Sequence, residues 1–155
     1  MIRTASPRVV LAITTITAIA SASPALAAAQ AKTKTLRYGI RFNETALDLG
    51  APGPSLGDVQ ILNDQLVNRN GKVIGHDGGT CTITSLDPPE TNCTITFSLP
   101  GGQITSQFLN SPPPRKIAPI TGGTRRYRGA RGDLVLTEHP DQTGTIVFRF
   151  TRPKR

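Results

Sequence analysis

The chain has 155 residues, with 18 Lys and Arg against 10 Asp and Glu, a formal net charge of +8, and only five Phe, two Tyr and no Trp. That length encloses one modest core, and the basic balance speaks to solubility and anionic surroundings, not to a fold. Aromatics this sparse argue against a carbohydrate-stacking lectin, and with no stacking platform or binding motif no nucleic acid partner is expected.

Arg3 and Arg8 flank the start of an uncharged apolar stretch from Val9 to Ala20, and small residues follow at Ser23-Pro24-Ala25-Leu26-Ala27. A positive n-region, an apolar h-region and an Ala-x-Ala site in that order spell a secretory signal peptide. Cleavage is expected after Ala27, with Ala29 the alternative. A membrane anchor is the competing reading, but spanning takes about 20 predominantly apolar residues, and Thr14, Thr15, Thr17, Ser21 and Ser23 dilute this run. Removing residues 1–27 leaves 128 residues of net charge +6. These divide into a short basic segment at 28–35, a folded domain at 36–152 and a basic tail at 153–155. No second apolar run of spanning length follows, so the mature protein is expected to be secreted, extracellular and free of a transmembrane segment.

Gly and Pro recur at intervals that would break any long helix, whereas alternation with a period of two is frequent. Leu36, Tyr38, Ile40 and Phe42 alternate with Arg37, Gly39, Arg41 and Asn43, which reads as a first strand with charge on one face. Residues 57–67 form a second, and Asn68-Arg69-Asn70-Gly71 supplies the turn into a third from Lys72 to Ser85. Asp87-Pro88-Pro89-Glu90 is read as a turn, because proline cannot donate to a ladder. Strands are then expected at Cys93–Leu99, Gln103–Leu109, Ile117–Ile120, Asp133–Glu138 and Thr143–Thr151. Pro112-Pro113-Pro114 makes an external loop, and Arg125 to Gly129 a compact turn or single helical turn. Eight short strands joined by tight turns indicate an all-β barrel or sandwich. Closure removes exposed edges, although pattern alone does not choose between the two.

Cys81 and Cys93 are the only cysteines, and their spacing matches neither C-x-x-C nor a zinc site. An even count in an exported chain makes a disulfide the default. The two flank the Asp87–Glu90 turn almost symmetrically, so in a hairpin they lie about opposite each other. His76-Asp77 and His139 are too far apart in sequence to be read as a metal site, and no metal is expected.

From Gly57 onward the order of residues resembles the allene oxide cyclase barrel superfamily, which includes the dirigent proteins. The resemblance rests on Gly57-Asp58, Asn63, Val73-x-Gly75, Gly78-x-x-Cys81, Thr96-Phe97 and Gly101-Gly102-Gln103-Ile104. Its most specific part is Ile120-Thr121-Gly122-Gly123-Thr124 with Tyr127-x-Gly129-Ala130-Arg131-Gly132. It covers Leu36 to Phe150 and implies an eight-stranded antiparallel β-barrel around a cavity, in an exported, bacterial-type member. It further implies a small hydrophobic ligand, cyclisation or coupling steered by shape without a cofactor, and a homodimer or homotrimer. Asn63 matches a cyclase asparagine that helps hold a catalytic water, and Asn43 falls near a polar residue of the first strand, so both are catalytic candidates. Cys81 matches a cavity-lining cysteine. Arg41 stands where the cyclases place a glutamate, which reverses the charge presented to a substrate. Tyr38, Arg41, Cys81, Phe97 and Phe148 are the ligand-cavity candidates.

Other features have plainer readings. Arg125, Arg126, Arg128 and Arg131 form the densest basic cluster, read as a solvated turn in preference to a polyanion patch. Arg131-Gly132-Asp133 belongs to the family's own segment and is not taken as an adhesion motif. Asn43-Glu44-Thr45 and Asn92-Cys93-Thr94 match the glycosylation acceptor pattern. Three functions therefore stand open: a cyclase-like or dirigent-like isomerase-type barrel, a non-catalytic small-molecule carrier, and an extracellular structural or interaction domain. Lumen volume, and whether Asn43, Asn63 and Cys81 converge inside it, separate them. N-terminal sequencing of protein recovered from the culture medium is expected to begin at Ala28; an intact Met1 contradicts the export reading.

Overall fold

The computed structural model describes residues 32–112 and 114–152. The expected signal peptide at 1–27 and tail at 153–155 lie outside the described residues, as does the first half of the 28–35 segment. Ten strand segments follow in order: β1 (Lys34–Arg41), β2 (Glu44–Leu47), β3 (Val59–Leu62), β4 (Gln65–Val67), β5 (Val73–Leu86), β6 (Pro89–Leu99), β7 (Gly102–Asn110), β8 (Arg115–Gly123), β9 (Arg131–Glu138) and β10 (Thr143–Thr151). A short 3-10 turn, η1 (Arg125–Tyr127), lies between β8 and β9. All pairings are antiparallel. They run β1–β4–β5–β6–β7–β8–β9–β10 and return to β1, so the sheet closes on itself. β2 and β3 extend β1 and β4 beyond short breaks, with β3 also paired to β5. Counting each broken pair as one strand, the architecture is the expected eight-stranded antiparallel barrel, and the sandwich alternative falls.

Two expectations need correction. The run 57–67 is not one strand: it breaks at Asn63-Asp64, where the chain turns from β3 into β4, and the first strand has a matching break at Phe42-Asn43 that delivers the unpredicted β2. The Asp87–Glu90 stretch is not all turn. Leu86 pairs with Pro89 and Ser85 with Glu90, so only Asp87-Pro88 makes the connection. Proline is tolerated there because the first residue of a strand need not donate to the ladder.

Period-two alternation sends Ile40, Leu66, Phe97, Ile104, Leu134, Ile146, Phe148 and Phe150 into one buried cluster inside the barrel. Phe148 stacks edge-on against Phe97 at 5.1 Å between ring centroids and against Tyr38 at 6.4 Å. Each fully buried Phe contributes roughly 1.5–3 kcal/mol.

One end of the barrel is plugged by the glycine-rich segment. η1 drops the Tyr127 ring onto Phe150 at 5.9 Å, and Tyr127 Oη donates to the Pro100 carbonyl at 2.9 Å. Gly123 makes room for this: a Cβ there would sit 2.5 Å from the Tyr127 carbonyl oxygen. Gly132 has φ 151 and a Cβ there would meet the Arg149 carbonyl at 2.1 Å, which only glycine relieves.

Cys81 and Cys93 face each other in register and are bridged, joining β5 to β6. Replacing both by Ala is expected to lower the unfolding free energy by about 2–3 kcal/mol, read from urea denaturation of oxidised protein. An unchanged midpoint contradicts a stabilising staple.

Candidate functional site

The end opposite the η1 plug is open. A throat of about 50 Å³ runs into the apolar interior between Ile40, Leu62, Ile95, Phe97 and Ile146, with Asp64 and Asp77 in its wall. It widens into a polar mouth of about 530 Å³ bounded by Glu44, Gln60, Asn110, Lys116, Glu138 and the β9–β10 turn. Beside the mouth an apolar groove of about 360 Å³ lies against Ala46, Leu47, Pro54, Val59 and Ile83, sharing Gln60 and Cys81 with the throat. The 48–58 loop that walls this groove is held by Asp58, whose carboxylate accepts from the backbone of Leu49 at 2.9 Å and of Ser55 at 2.7 Å. Those two hydrogen bonds hold the Asp58 carboxyl below its usual range.

The chemistry concentrates on Asp64 and Asp77, both buried, at 3 % and 2 % exposure. Each serves a strand break. Asn43 N–H, at the β1–β2 break, donates to Asp64 Oδ1 at 2.7 Å, and Asp64 N–H, at the β3–β4 break, donates to Asp77 Oδ1 at 3.0 Å. The Asp77 N–H returns a bond to the Asp64 carbonyl at 3.0 Å. Burial, and then the charge of Asp64, push Asp77 up to about 7; burial raises Asp64 as well, opposed by the bond from Asn43. Two carboxyls in one apolar pocket cannot both ionise cheaply. The pair therefore gives up its protons at higher pH than free carboxyls do, Asp77 the more strongly raised of the two.

The mouth continues this acidic character. Gln60 Nε2 donates to Glu44, and Lys116 Nζ lies 3.9 Å from Glu138 and donates to the Ser111 carbonyl at 2.8 Å. Glu44 is raised, first by desolvation in the mouth and then by the charges of Asp64 and Glu138. Asn110 Oδ1 is buried between throat and mouth and accepts no hydrogen bond from the described residues. Among those residues no group of His, Cys, Asp and Glu is arranged to hold a metal ion, and no helix is long and apolar enough to cross a membrane.

The expected site residues separate. Cys81 faces the throat, but as half of the disulfide. Phe97 lines the throat, and Phe148 lies beneath it in the packed core together with the half-buried Tyr38. Asn43 and Asn63 do not converge with them. Phe42 and Glu44 turn inward, which puts Asn43 outside; Leu62 and Asp64 do the same for Asn63, and both asparagines border a shallow outer hollow with His76. Arg41 is likewise external, donating to the Gly71 carbonyl at 3.4 Å, so the charge it carries does not face the lumen. The carboxyl pair was missed, yet it leaves a signal: Leu62-x-Asp64-x-Leu66 and Asp77-x-x-x-Cys81 each put an Asp on the apolar side of an alternating run.

Residues 38–148 match the sequence profile of the allene oxide cyclase barrel like domain. Among solved structures, a pyocyanin demethylase is 30% identical with a TM-score of 0.69, over 76% of this chain and 100% of that one. A pterocarpan synthase dirigent protein superposes with a TM-score of 0.66 at 16% identity, covering 80% of this chain and 87% of its own. A Diels-Alderase from Streptomyces koyangensis gives 0.62 at 13%, covering 82% and 72%. At these lower identities the likeness is one of fold. No curated protein sequence matches the chain. With its barrel closed as expected, its glycine-rich plug in place and most of its length matched, the chain belongs to the allene oxide cyclase barrel-like family.

Proposed function

We propose that the protein is an exported barrel that receives a small hydrophobic ring compound at its open end and steers a proton-assisted rearrangement, cyclisation or coupling of it. The observation that carries this reading is the pair of buried carboxyls, Asp64 and Asp77, in the wall of an apolar throat. A throat of about 50 Å³ holds a substituent and not a molecule, since whole ligands occupy roughly 300–1,000 Å³. The body of the ligand then lies in the mouth and the adjoining apolar groove, and one substituent reaches the carboxyls. Asp77 donates a proton to the reacting centre or Asp64 stabilises positive charge developing there, in a site whose low polarity strengthens both effects. Asn110 Oδ1 offers an acceptor to an N–H or O–H of the ligand. The pyocyanin demethylase relative supports a small ring compound as ligand. The signal-peptide pattern and the disulfide support export, because such a bridge persists in an oxidising compartment.

A non-catalytic carrier is the second reading. It is favoured by one observation: Asn63 and Arg41, at the family's catalytic positions, face the outside.

Asp77→Asn separates the two. Asparagine keeps the Oδ1 that accepts the Asp64 N–H and mimics the protonated acid, so the fold is retained while proton transfer is lost. Because burial raises Asp77 from 3.8 to about 7, the folded state holds a proton that the unfolded chain has released. As far as this group is concerned, its stabilising contribution is fully present below about pH 4 and is lost as pH rises through about 7, by on the order of 4 kcal/mol. Denaturant titrations are expected to show that slope in the wild type, a flatter profile in Asp77→Asn, and a variant more stable than wild type at pH 8. Equal slopes contradict the shared proton.

Native mass spectrometry of the exported protein is expected to reveal a co-purified small molecule. Asp77→Asn is expected to bind that molecule with about the wild-type affinity and to convert it at least about 100-fold more slowly. Equal rates leave the carrier reading standing.

A further inference from the structure

The outer face of the barrel carries a second concavity, separate from the throat. It is a groove of about 290 Å³ spanning β1, β10, β9 and β8, and Arg37, Arg115 and Arg149 project around it. The strand registers fix their placement. Arg37 is opposite Val147, which is opposite Val135; Arg115 is opposite Thr137, which is opposite Thr145. The floor is therefore Val135 and Val147, Thr137 and Thr145 lie along the middle, and the guanidiniums stand at the two sides.

Val147 is buried to 6 % exposure yet does not belong to the lumenal core cluster, so it is covered from outside. Arginine stems laid over an apolar floor account for that cover while leaving the charged heads in solvent. All three arginines are exposed, and none forms an ion pair among the described residues, where the Lys116–Glu138 contact is the pair observed. The carboxylates nearby are otherwise engaged or offset. Glu138 faces the mouth with Lys116, and Asp133 is in register with Arg149 at the edge but does not border the groove. His139 borders both this groove and the mouth, so the groove runs up to the rim of the open end.

Arg37 and Arg115 stand three strand spacings apart, roughly 14 Å between backbones. One small anion meets guanidiniums from both sides only if their stems extend fully toward each other, whereas a chain carrying repeated charges can lie across the groove and meet each where it stands. We propose that this groove binds a polyanion of repeated tetrahedral oxyanions, phosphate or sulfate, which forked guanidiniums hold through paired hydrogen bonds and the threonine hydroxyls complete. Binding there fixes the barrel on an anionic polymer with its mouth beside the contact. Of the basic cluster Arg125, Arg126, Arg128 and Arg131, the first three lie on and beside the η1 turn at the closed end and border none of the groove described above.

The test is equilibrium binding of the intact exported protein to a short linear polyphosphate and, separately, to dextran sulfate. Saturable binding of at least one is expected, and the preferred probe distinguishes phosphate from sulfate. The triple variant Arg37→Gln, Arg115→Gln, Arg149→Gln is expected to weaken it at least about tenfold. The triple Arg125→Gln, Arg126→Gln, Arg128→Gln removes the same charge and is expected to change it less than about threefold. Equal weakening by both triples overturns the site in favour of net charge alone. Binding of neither polymer, or displacement by inorganic phosphate at the same concentration of phosphate groups, also overturns it. None of these results depends on Asp77, so they stand or fall apart from the throat chemistry.

Discussion

Two strands of this barrel break side by side, and the backbone N–H groups released at Asn43 and Asp64 are caught by carboxyl oxygens inside an otherwise apolar lumen. An unpaired buried N–H costs about 1–3 kcal/mol, so the breaks exist only because Asp64 and Asp77 answer them. The same two side chains then repel each other, and the conflict is settled by a retained proton. One local arrangement thus does three things: it carries the strands across both breaks without loss of register, it ties β1, β4 and β5 together, and it places two carboxyls side by side. Buried carboxyls of this kind weaken a fold at neutral pH, and their place in the throat wall is what the proposed proton chemistry rests on.

The two ends of the barrel are built for opposite purposes. At the closed end Tyr127, Ala130 and Phe150 fill the interior under η1, and glycines at 123 and 132 allow backbones to approach where any side chain would collide. At the open end the wall residues become polar in step with the strand period, from Phe97 and Ile146 through Asp77 and Asp64 to Glu44, Gln60 and Glu138. Under the proposed function, the gradient from apolar floor to acidic rim would orient a ligand with its apolar end inward, and the groove walled by the 48–58 loop would take the part that does not fit the throat.

Much of this was legible in the sequence because a barrel writes its inside and outside into alternate positions. The first strand, the β5–β6 hairpin, the cysteine register and the 3-10 turn at Arg125 follow from period, turn residues and parity. What escaped are the breaks. Asn63-Asp64 carries no Gly or Pro to mark it, and the interruption depends on hydrogen bonds from Asp64 and Asp77 that are distant in sequence. Asn63, Asn43 and Arg41 follow from the family resemblance and not from parity, and all three lie on the outward face, one step out of phase with the inward Asp64 and Glu44. Pro89 was missed for a related reason: the rule that proline breaks ladders says nothing of a strand's first residue.

The account rests on the proton held between Asp64 and Asp77, and that proton is directly observable. Carbon-detected NMR of side-chain carboxyls in uniformly labelled protein, titrated from pH 3 to pH 9, reads each aspartate by its own chemical shift. The account predicts that the Asp77 carboxyl keeps the shift of a protonated acid until about pH 7, with the Asp64 resonance responding in the same step. If both resonances instead complete their change near pH 4, the pair holds no proton at neutrality, and the throat is a structural knot and not a site for proton transfer.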